Sequence, residues 1–131
     1  MKNRIESTII ITAENQERFI ERCIKSCLNQ SVKHIEIIII FTNLKNIHAL
    51  KRRYLSKNIV FLNIPKKINK PTQDQLFKIK QGLLISKGKY IFLLDGDDAY
   101  KKNKVKEAIN SIKDKRVLFL DNYENNKNNI K

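Results

Sequence analysis

One short apolar run that ends in acidic residues constrains the fold of this chain more than any other feature. Residues 90–94 (Tyr-Ile-Phe-Leu-Leu) lie between two glycines, which predicts a short strand buried on both faces. Three carboxylates follow within four positions, on Asp95, Asp97 and Asp98. Ligands bind at the carboxyl edge of open α/β sheets, and neighbouring carboxylates repel each other unless a cation neutralises them. We therefore expect a metal-assisted site for a phosphorylated ligand at this point of the chain.

The same acidic segment, residues 95–98, also has the composition of a solvated turn, because Asp and Gly favour turns. A D-x-D triplet on its own is a weak motif that recurs by chance. Its place directly after a buried strand favours the functional interpretation. Other features of the chain are needed to distinguish a functional site from a solvated turn.

Strands and helices alternate along the chain. Apolar and β-branched runs predict strands at residues 7–12, 36–41, 58–64, 90–94 and 117–120. Apolar residues at helical spacing predict helices at residues 16–29, 46–55, 74–86 and 102–112. This alternation indicates an α/β fold in which a mostly parallel sheet carries helices on both faces. We expect one domain over residues 1–121 and a polar, disordered tail over residues 122–131.

Two of the predicted helices carry a defined apolar face. The helix at 74–86 has Leu76, Ile79 and Leu83 on one side, which predicts that this side faces the core. Cys23 and Cys27 lie four positions apart on the first helix and therefore on one face. We expect both cysteines to be small core residues without a disulfide or metal partner.

The chain is strongly basic, with a formal net charge of +14 over 131 residues. Such a charge favours anionic partners, which include phosphorylated small molecules, acidic lipid and nucleic acid. Nucleic acid is not expected, because no basic block is interleaved with aromatic residues. No apolar run reaches the roughly 18 residues of a membrane span, and the first strand follows the N-terminus without a signal peptide. We expect a cytoplasmic location, with peripheral contact at the inner face of an anionic membrane as the alternative.

Three stretches match a known pattern in order and spacing. They are residues 10–31, which end in Ser-Cys-Leu-Asn-Gln-Ser, residues 35–40, and residues 82–98, which contain Lys-Gly-Lys-Tyr-Ile-Phe-Leu-Leu-Asp-Gly-Asp-Asp. In these stretches the chain resembles the amino-terminal, nucleotide-sugar-binding half of a family 2 glycosyltransferase with the GT-A fold. The resemblance implies a Rossmann-like three-layer α/β/α sandwich with a mostly parallel sheet.

The resemblance also implies which residues bind a nucleotide-diphosphate sugar, with a UDP-sugar as the first expectation. Thr12, Ala13 and Glu14 would contact the base and the ribose. Asp95 would approach the ribose or the metal, and Asp97 would ligate Mn²⁺ or Mg²⁺. That ion would bridge the two phosphates and stabilise the charge on the departing nucleoside diphosphate. The sugar would pass with inversion to an acceptor that the sequence does not identify.

The chain departs from the family pattern at two places in the donor site. The second strand of the family ends in two aspartates, one of which recognises the nucleobase, whereas this chain has Phe41 and Thr42 there. Thr42 can form a hydrogen bond, but it carries no carboxylate. The helix before the acidic segment usually carries A-R-N, whose Arg lies near the diphosphate, whereas this chain has Lys78, Ile79 and Lys80. A lysine such as Lys78 would act as a point charge, without the bidentate fork of Arg.

The catalytic base of the family lies in an acceptor half that would follow the fifth predicted strand. Asp121 ends that strand and is a weak candidate for the base that deprotonates the acceptor hydroxyl. Two alternatives stay open beside an active glycosyltransferase. One is a degenerate, non-catalytic domain with the GT-A fold, and the other is a basic module that binds anionic lipid or nucleic acid.

Overall fold

A computed structural model describes residues 4–112, which form one four-stranded sheet and four helices. The strands are β1 (Ser7–Glu14), β2 (Ile35–Thr42), β3 (Ile59–Asn63) and β4 (Tyr90–Asp95). The helices are α1 (Ile20–Leu28), α2 (Ile47–Arg53), α3 (Pro71–Ile85) and α4 (Lys104–Ile112). The predicted alternation is confirmed for these residues. The predicted fifth strand at 117–120, the candidate base Asp121 and the predicted tail at 122–131 lie outside the described residues.

The sheet is parallel throughout the described residues, with the strand order β3-β2-β1-β4. The chain moves outward from β1 to β3 and then returns to the other side of β1 to form β4. The strand order therefore reverses between β1 and β4, which is the position where open α/β sheets bind ligands. Thr12 of β1 lies in register with Ile40 of β2 and Asp95 of β4, so the carboxyl ends of these strands meet at one edge.

Helices cover both faces of the sheet, which confirms the expected three-layer α/β/α arrangement. The larger core lies between the sheet and α1, α2 and α4, and includes fully buried side chains such as Ile9, Ile37, Ile24 and Val105. Cys23 and Cys27 are free thiols buried in this core, as predicted. On the other face Ile10, Ile38 and Ile40 are fully buried beside α3.

The prediction that β4 is buried on both faces is wrong. Phe92 and Leu94 point into the larger core, but Ile91 and Leu93 on the opposite face are 37% and 46% exposed. The physical reason is position, because β4 is an edge strand of the described sheet and α3 contacts β1 and β2 in its place. An apolar run predicts the strand, but it does not distinguish a central strand from an edge.

The predicted core face of α3 is also wrong. Leu76 and Leu83 are 59% and 46% exposed, whereas the buried residues of this helix are Asp74, Lys78 and Gly82. The helix packs closely against β1 at Gly82, since a Cβ atom there would lie 2.8 Å from Cγ2 of Ile10. The helix also begins earlier than predicted, at Pro71, which suits the first helical turn because proline needs no backbone partner there.

The amino-terminal edge of the sheet is tied together by one buried carboxylate. Glu36 of β2 accepts hydrogen bonds from the Thr8 hydroxyl (2.7 Å) and from the backbone N–H of Lys87 (2.6 Å). The backbone N–H of Gly88 donates to Thr8 Oγ1 at 2.9 Å. A Cβ atom at position 88 would lie 2.6 Å from backbone atoms of β1, which explains the glycine. These contacts fix where β4 begins and therefore where its carboxyl end lies.

Within residues 4–112, none of the helices combines the length and the apolar character needed to cross a membrane.

Candidate functional site

A cavity of about 220 Å³ opens at the carboxyl edge of the sheet, between the ends of β1 and β4 and the first turns of α3. It is lined by Thr12, Ala13, Glu14, Gln16, Pro71, Asp74, Gln75, Lys78 and Asp95. Five of the residues predicted from the sequence for the donor site, Thr12, Ala13, Glu14, Lys78 and Asp95, therefore share one cavity. It lies at the carboxyl edge, where the acidic segment was expected to form a site, and at the reversal of strand order.

Asp95 is held at the wall of this cavity by a side chain from the loop after β1. Gln16 donates through Nε2 to Asp95 Oδ1 at 3.1 Å and accepts through Oε1 from the backbone N–H of Glu14 at 3.3 Å. The approach is close, because a Cβ atom at Gly96 would lie 2.6 Å from Oε1 of Gln16. The glycine of the acidic segment therefore lets Gln16 reach Asp95, a role that no local sequence pattern indicates.

Asp97 and Asp98 lie in the turn that follows β4. The backbone N–H of Asp98 donates to the carbonyl of Asp95 at 3.0 Å, and the Asp98 side chain is buried. Arg22 of α1 donates through Nη2 to the carbonyl oxygen of Asp97 at 2.8 Å. Asp97 is half-buried and is not among the residues that line the cavity. Asp95 thus lies at the cavity wall, and Asp97 lies just beyond it.

A buried ion pair stands on the α3 side of the cavity. The Lys78 ammonium contacts Asp74 Oδ2 one helical turn earlier, and the two side chains are only 2% and 7% exposed. The position that matches the family's arginine is Ile79, and its neighbour Lys78, the expected substitute, is already paired within its own helix. Ile79 lies beside a neighbouring groove with Leu93, and Lys80 is exposed.

The end of β2 is not part of the cavity lining. Thr42, a predicted nucleotide-binding residue, donates its hydroxyl to the carbonyl oxygen of Ile64 at 2.7 Å.

Glu14 projects to the cavity rim, where its carboxylate accepts from the Lys66 ammonium at 2.9 and 3.1 Å. This contact raises the pKa of Lys66, because the carboxylate favours the charged ammonium.

The donor atoms near the acidic segment suit a hard divalent cation. Among residues 4–112, no three His, Cys, Asp or Glu side chains converge as a set of metal ligands. Mg²⁺ is usually held by one or two carboxylates, with phosphate oxygens of the substrate and water completing the shell. Asp95 and Asp97 are two carboxylates of this kind at the end of a strand, so the residues present fit an ion that is shared with a diphosphate.

A second cavity, of about 820 Å³, lies at the opposite, amino-terminal edge of the sheet. It is lined by Arg4, Ile5, Glu6, His34, Lys87 and Lys89. This cavity is larger and more basic than the first, but it lies away from the acidic segment and away from the reversal of strand order. Its lining includes Arg4, Lys87 and Lys89 against one carboxylate, Glu6, so its charge favours an anion.

The sequence profile of Glycosyl transferase family 2 matches residues 8–130 of this chain. This chain belongs to that family. The match covers nearly the whole chain, including the strand ends that line the first cavity and the acidic segment after β4. The resemblance inferred from the three sequence stretches is confirmed.

Relatives of known sequence and structure agree with this assignment. An uncharacterized glycosyltransferase of Haemophilus influenzae is 27% identical over 127 residues, which cover 94% of this chain and 38% of that protein. Crystal structures of S. aureus TarS share the fold of this chain at 19% identity over 82% of its length. The TM-scores are 0.67 for TarS 1-349 in complex with UDP and 0.68 for its complex with UDP-GlcNAc. This chain spans about a third or less of these TarS chains and 38% of the H. influenzae relative.

Proposed function

We propose that this chain binds the donor of a glycosyl transfer reaction, a nucleotide-diphosphate sugar, in the cavity at the carboxyl edge of the sheet. The observation that carries the proposal is the convergence of Thr12, Glu14 and Asp95 on one cavity, with Asp97 in the next turn. Crystal structures with the same fold hold UDP and UDP-GlcNAc, which favours a UDP-sugar as the donor.

Thr12 and Ala13 at the end of β1 line the cavity and would contact the base and the ribose of the donor. Asp95, oriented by Gln16, would contact the ribose or a metal ion, and Asp97 would ligate the ion from outside the cavity. Bound Mn²⁺ or Mg²⁺ would supply positive charge that stabilises the departing nucleoside diphosphate.

The same turn limits the movement of the acidic segment. Arg22 donates to the carbonyl of Asp97, and the N–H groups of Gly96 and Asp98 donate to the carbonyls of Thr12 and Asp95 at 2.8 and 3.0 Å. A loop held by backbone contacts from two elements can hold its carboxylates in place before the donor binds, which lowers the cost of ordering them.

We propose transfer with inversion, in which a carboxylate deprotonates the acceptor hydroxyl. Asp121 stays a prediction for that base.

Equilibrium dialysis with UDP-GlcNAc in the presence of Mn²⁺ measures donor binding and tests this proposal. We expect saturable binding that is weakened at least about tenfold by omission of Mn²⁺ or by Asp97→Ala, because a lost charged contact is worth about 1.5–3 kcal/mol. Glu107→Gln, which removes an exposed carboxylate on α4, is the matched control and should leave binding unchanged. Binding that ignores both Mn²⁺ and Asp97, or that disappears with moderate salt alone, would contradict the proposal.

A further inference from the structure

We propose that the amino-terminal edge of the sheet docks on an anionic lipid bilayer and leaves the cavity at the carboxyl edge facing away from the lipid. The docking surface, which we call the amino face, consists of the exposed basic residues that shortly precede the strands: Arg4, Lys33, His34, Lys57, Lys87 and Lys89. The inference goes beyond the proposed function, because it concerns the opposite end of the molecule and does not depend on which donor binds.

A basic residue stands before each of the four strands. Arg4 precedes β1, Lys33 precedes β2, Lys57 precedes β3, and Lys87 and Lys89 precede β4. Because the described sheet is parallel, the points where the chain enters its strands all lie at one edge. With about 4.8 Å between neighbouring strands, the four entry points form a row roughly 15 Å long.

Backbone hydrogen bonds hold the middle of this row together. The N–H of Glu6 donates to the carbonyl oxygen of His34 at 2.9 Å, and the N–H of Lys89 donates to the carbonyl oxygen of Glu6 at 2.8 Å. Arg4, His34, Lys87 and Lys89 line the same cavity of about 820 Å³. These basic residues therefore belong to one surface and not to separate loops.

The cations of the amino face are not neutralised within the described part of the chain. Among residues 4–112, no lysine or arginine of the amino face forms an ion pair, whereas Lys66 at the carboxyl edge pairs with Glu14. The carboxylates near the amino face are Glu6, which is half-buried, and Glu36, which is buried and accepts from β1 and the backbone before β4. Like charges in one row repel each other, and an anionic surface relieves that repulsion.

An exposed leucine lies among cations next to this row. Leu55 is 82% exposed and stands in the connection between α2 and β3, two residues before Lys57. The last turn of α2 carries Lys51 and Arg52. At the interface of an anionic bilayer, an apolar side chain enters the boundary of the acyl chains while neighbouring cations stay with the headgroups. The combination of cations and an exposed leucine therefore favours a bilayer.

The amino face lacks the aromatic platform that single-stranded nucleic acid would use. None of its six residues is Phe, Tyr or Trp. Tyr90, directly after Lys89, is half-buried, and the Lys89 ammonium lies 5.4 Å from the centre of its ring. Bases stack on exposed aromatic side chains, whereas a bilayer requires only cations near its headgroups. The chemistry of the amino face therefore favours lipid over nucleic acid.

The position of the amino face determines how the docked molecule would be oriented. The amino face and the cavity lined by Asp95 lie at opposite ends of the strands. β1 has eight residues, so about 25 Å separate the two edges. Docking through the amino face would leave the cavity open to the aqueous side, where a water-soluble nucleotide-sugar can enter.

Co-sedimentation with vesicles rich in phosphatidylserine, beside vesicles of phosphatidylcholine alone, tests the inference at about 0.1 M salt. We expect the wild type to bind only the anionic vesicles. Lys87→Gln/Lys89→Gln should weaken that binding about tenfold or more, because each lysine near an anionic surface adds to the attraction. Lys67→Gln/Lys70→Gln, which removes the same charge from two exposed lysines before α3, is the matched control and should bind as the wild type does.

A fluorescent label tests the orientation. Cys23 and Cys27 are buried, so an introduced surface cysteine can be labelled selectively. A polarity-sensitive dye on Leu55→Cys should brighten when anionic vesicles are added. The same dye on Gln73→Cys, at an exposed position near the carboxyl edge, should not change. Thermal melts establish that each variant is folded.

Several results would overturn the inference. They are a failure of the wild type to bind anionic vesicles, an equal loss of binding in the two double variants, and brightening of the dye on Gln73→Cys. Binding of an oligonucleotide that is lost in Lys87→Gln/Lys89→Gln, without binding of vesicles, would assign the amino face to nucleic acid instead. Metal-dependent binding of UDP is measured without vesicles, so these results leave the proposed function unaffected.

Discussion

Gln16 is the residue on which the geometry of the site depends most directly. Its amide accepts from the N–H of Glu14 and donates to the carboxylate of Asp95, so it connects the end of β1 with the end of β4. The amide suits both contacts at once because it carries a donor and an acceptor. Gly96 suits the same arrangement, since a Cβ atom there would lie 2.6 Å from Oε1 of Gln16 and 2.9 Å from Cβ of Ala13.

Replacement of Gln16 by leucine should therefore weaken donor binding with little effect on folding. We expect the dissociation constant of UDP in Mn²⁺ to rise about tenfold, because Asp95 loses the hydrogen bond that orients it. Gln73→Leu, at an exposed position near the start of α3, is the matched control. Equal affinities for the two variants in calorimetry would show that Asp95 needs no help from Gln16.

The role of a residue at the site could be derived from the residues next to it only where that role depends on neighbours in the sequence. Asp95 and Asp97 follow directly after an apolar run, so the sequence placed them at the end of a strand. The roles of Gln16 and Asp74 depend on contacts with residues far along the chain or on which side of a helix is buried. Neither is encoded in a short pattern, and neither was predicted.

At the scale of elements, α1 and α2 are joined by one polar cluster. Glu21 of α1 accepts from the Tyr54 hydroxyl at 2.7 Å and pairs with Arg53. The hydrogen bonds from Tyr54 and Arg53 lower the pKa of Glu21. Burial and the hydrogen bond to Glu21 raise the pKa of Tyr54 to about 12. The cluster therefore requires a charged Glu21 and a neutral Tyr54, which makes its contribution dependent on pH.

Tyr54→Phe should lower the free energy of unfolding by about 1.5–3 kcal/mol near neutral pH, the value of a hydrogen bond to a charged group. Because the pKa of Tyr54 is raised on folding, its contribution is complete below pH 10 and declines as the pH rises toward 12. The lowered pKa of Glu21 has the opposite dependence on pH. Its contribution to the free energy of unfolding is present above the ordinary carboxyl pKa and is lost in acid.

Urea denaturation at several pH values measures this effect as the difference between the variant and the wild type. The difference should be constant from about pH 6 to 9 and shrink above pH 10. Tyr90→Phe, which removes a hydroxyl without a hydrogen-bond partner among residues 4–112, should show no such trend. A difference that stays constant to pH 11.5 would mean that the Tyr54 hydroxyl does not stabilise the contact between the helices.

The elements differ in how far their faces could be predicted. The apolar stripe predicted for α1 is buried in its middle, where Ile20, Cys23 and Ile24 point to the core, but its ends, Phe19 and Leu28, are 41% and 38% exposed. In α3 the same rule failed, because the helix buries Asp74 and Lys78 and exposes Leu76 and Leu83. Apolar periodicity locates a helix. It does not identify the buried side when that side carries an ion pair in place of apolar residues, as in α3.

At the scale of the whole molecule, the two ends of the sheet differ in chemistry. The carboxyl edge holds Asp95 and Asp97 near a small cavity, and the amino edge holds a larger cavity lined by Arg4, Lys87 and Lys89. The alternation of strands and helices was enough to predict carboxylates at the carboxyl edge, because parallel strands bring all their carboxyl ends to one edge. The basic cavity at the amino edge was not predicted. Net charge alone does not distinguish the two edges, since it does not record where the carboxylates lie.

A crystal structure of the chain with UDP and Mn²⁺, with data collected to locate manganese by its anomalous scattering, tests the central claim most directly. The account predicts a manganese peak beside the Asp97 carboxylate, with the diphosphate on the ion and the nucleotide in the cavity at the carboxyl edge of the sheet. A nucleotide bound at the amino edge against Lys87 and Lys89, with no manganese near Asp95 or Asp97, would contradict it.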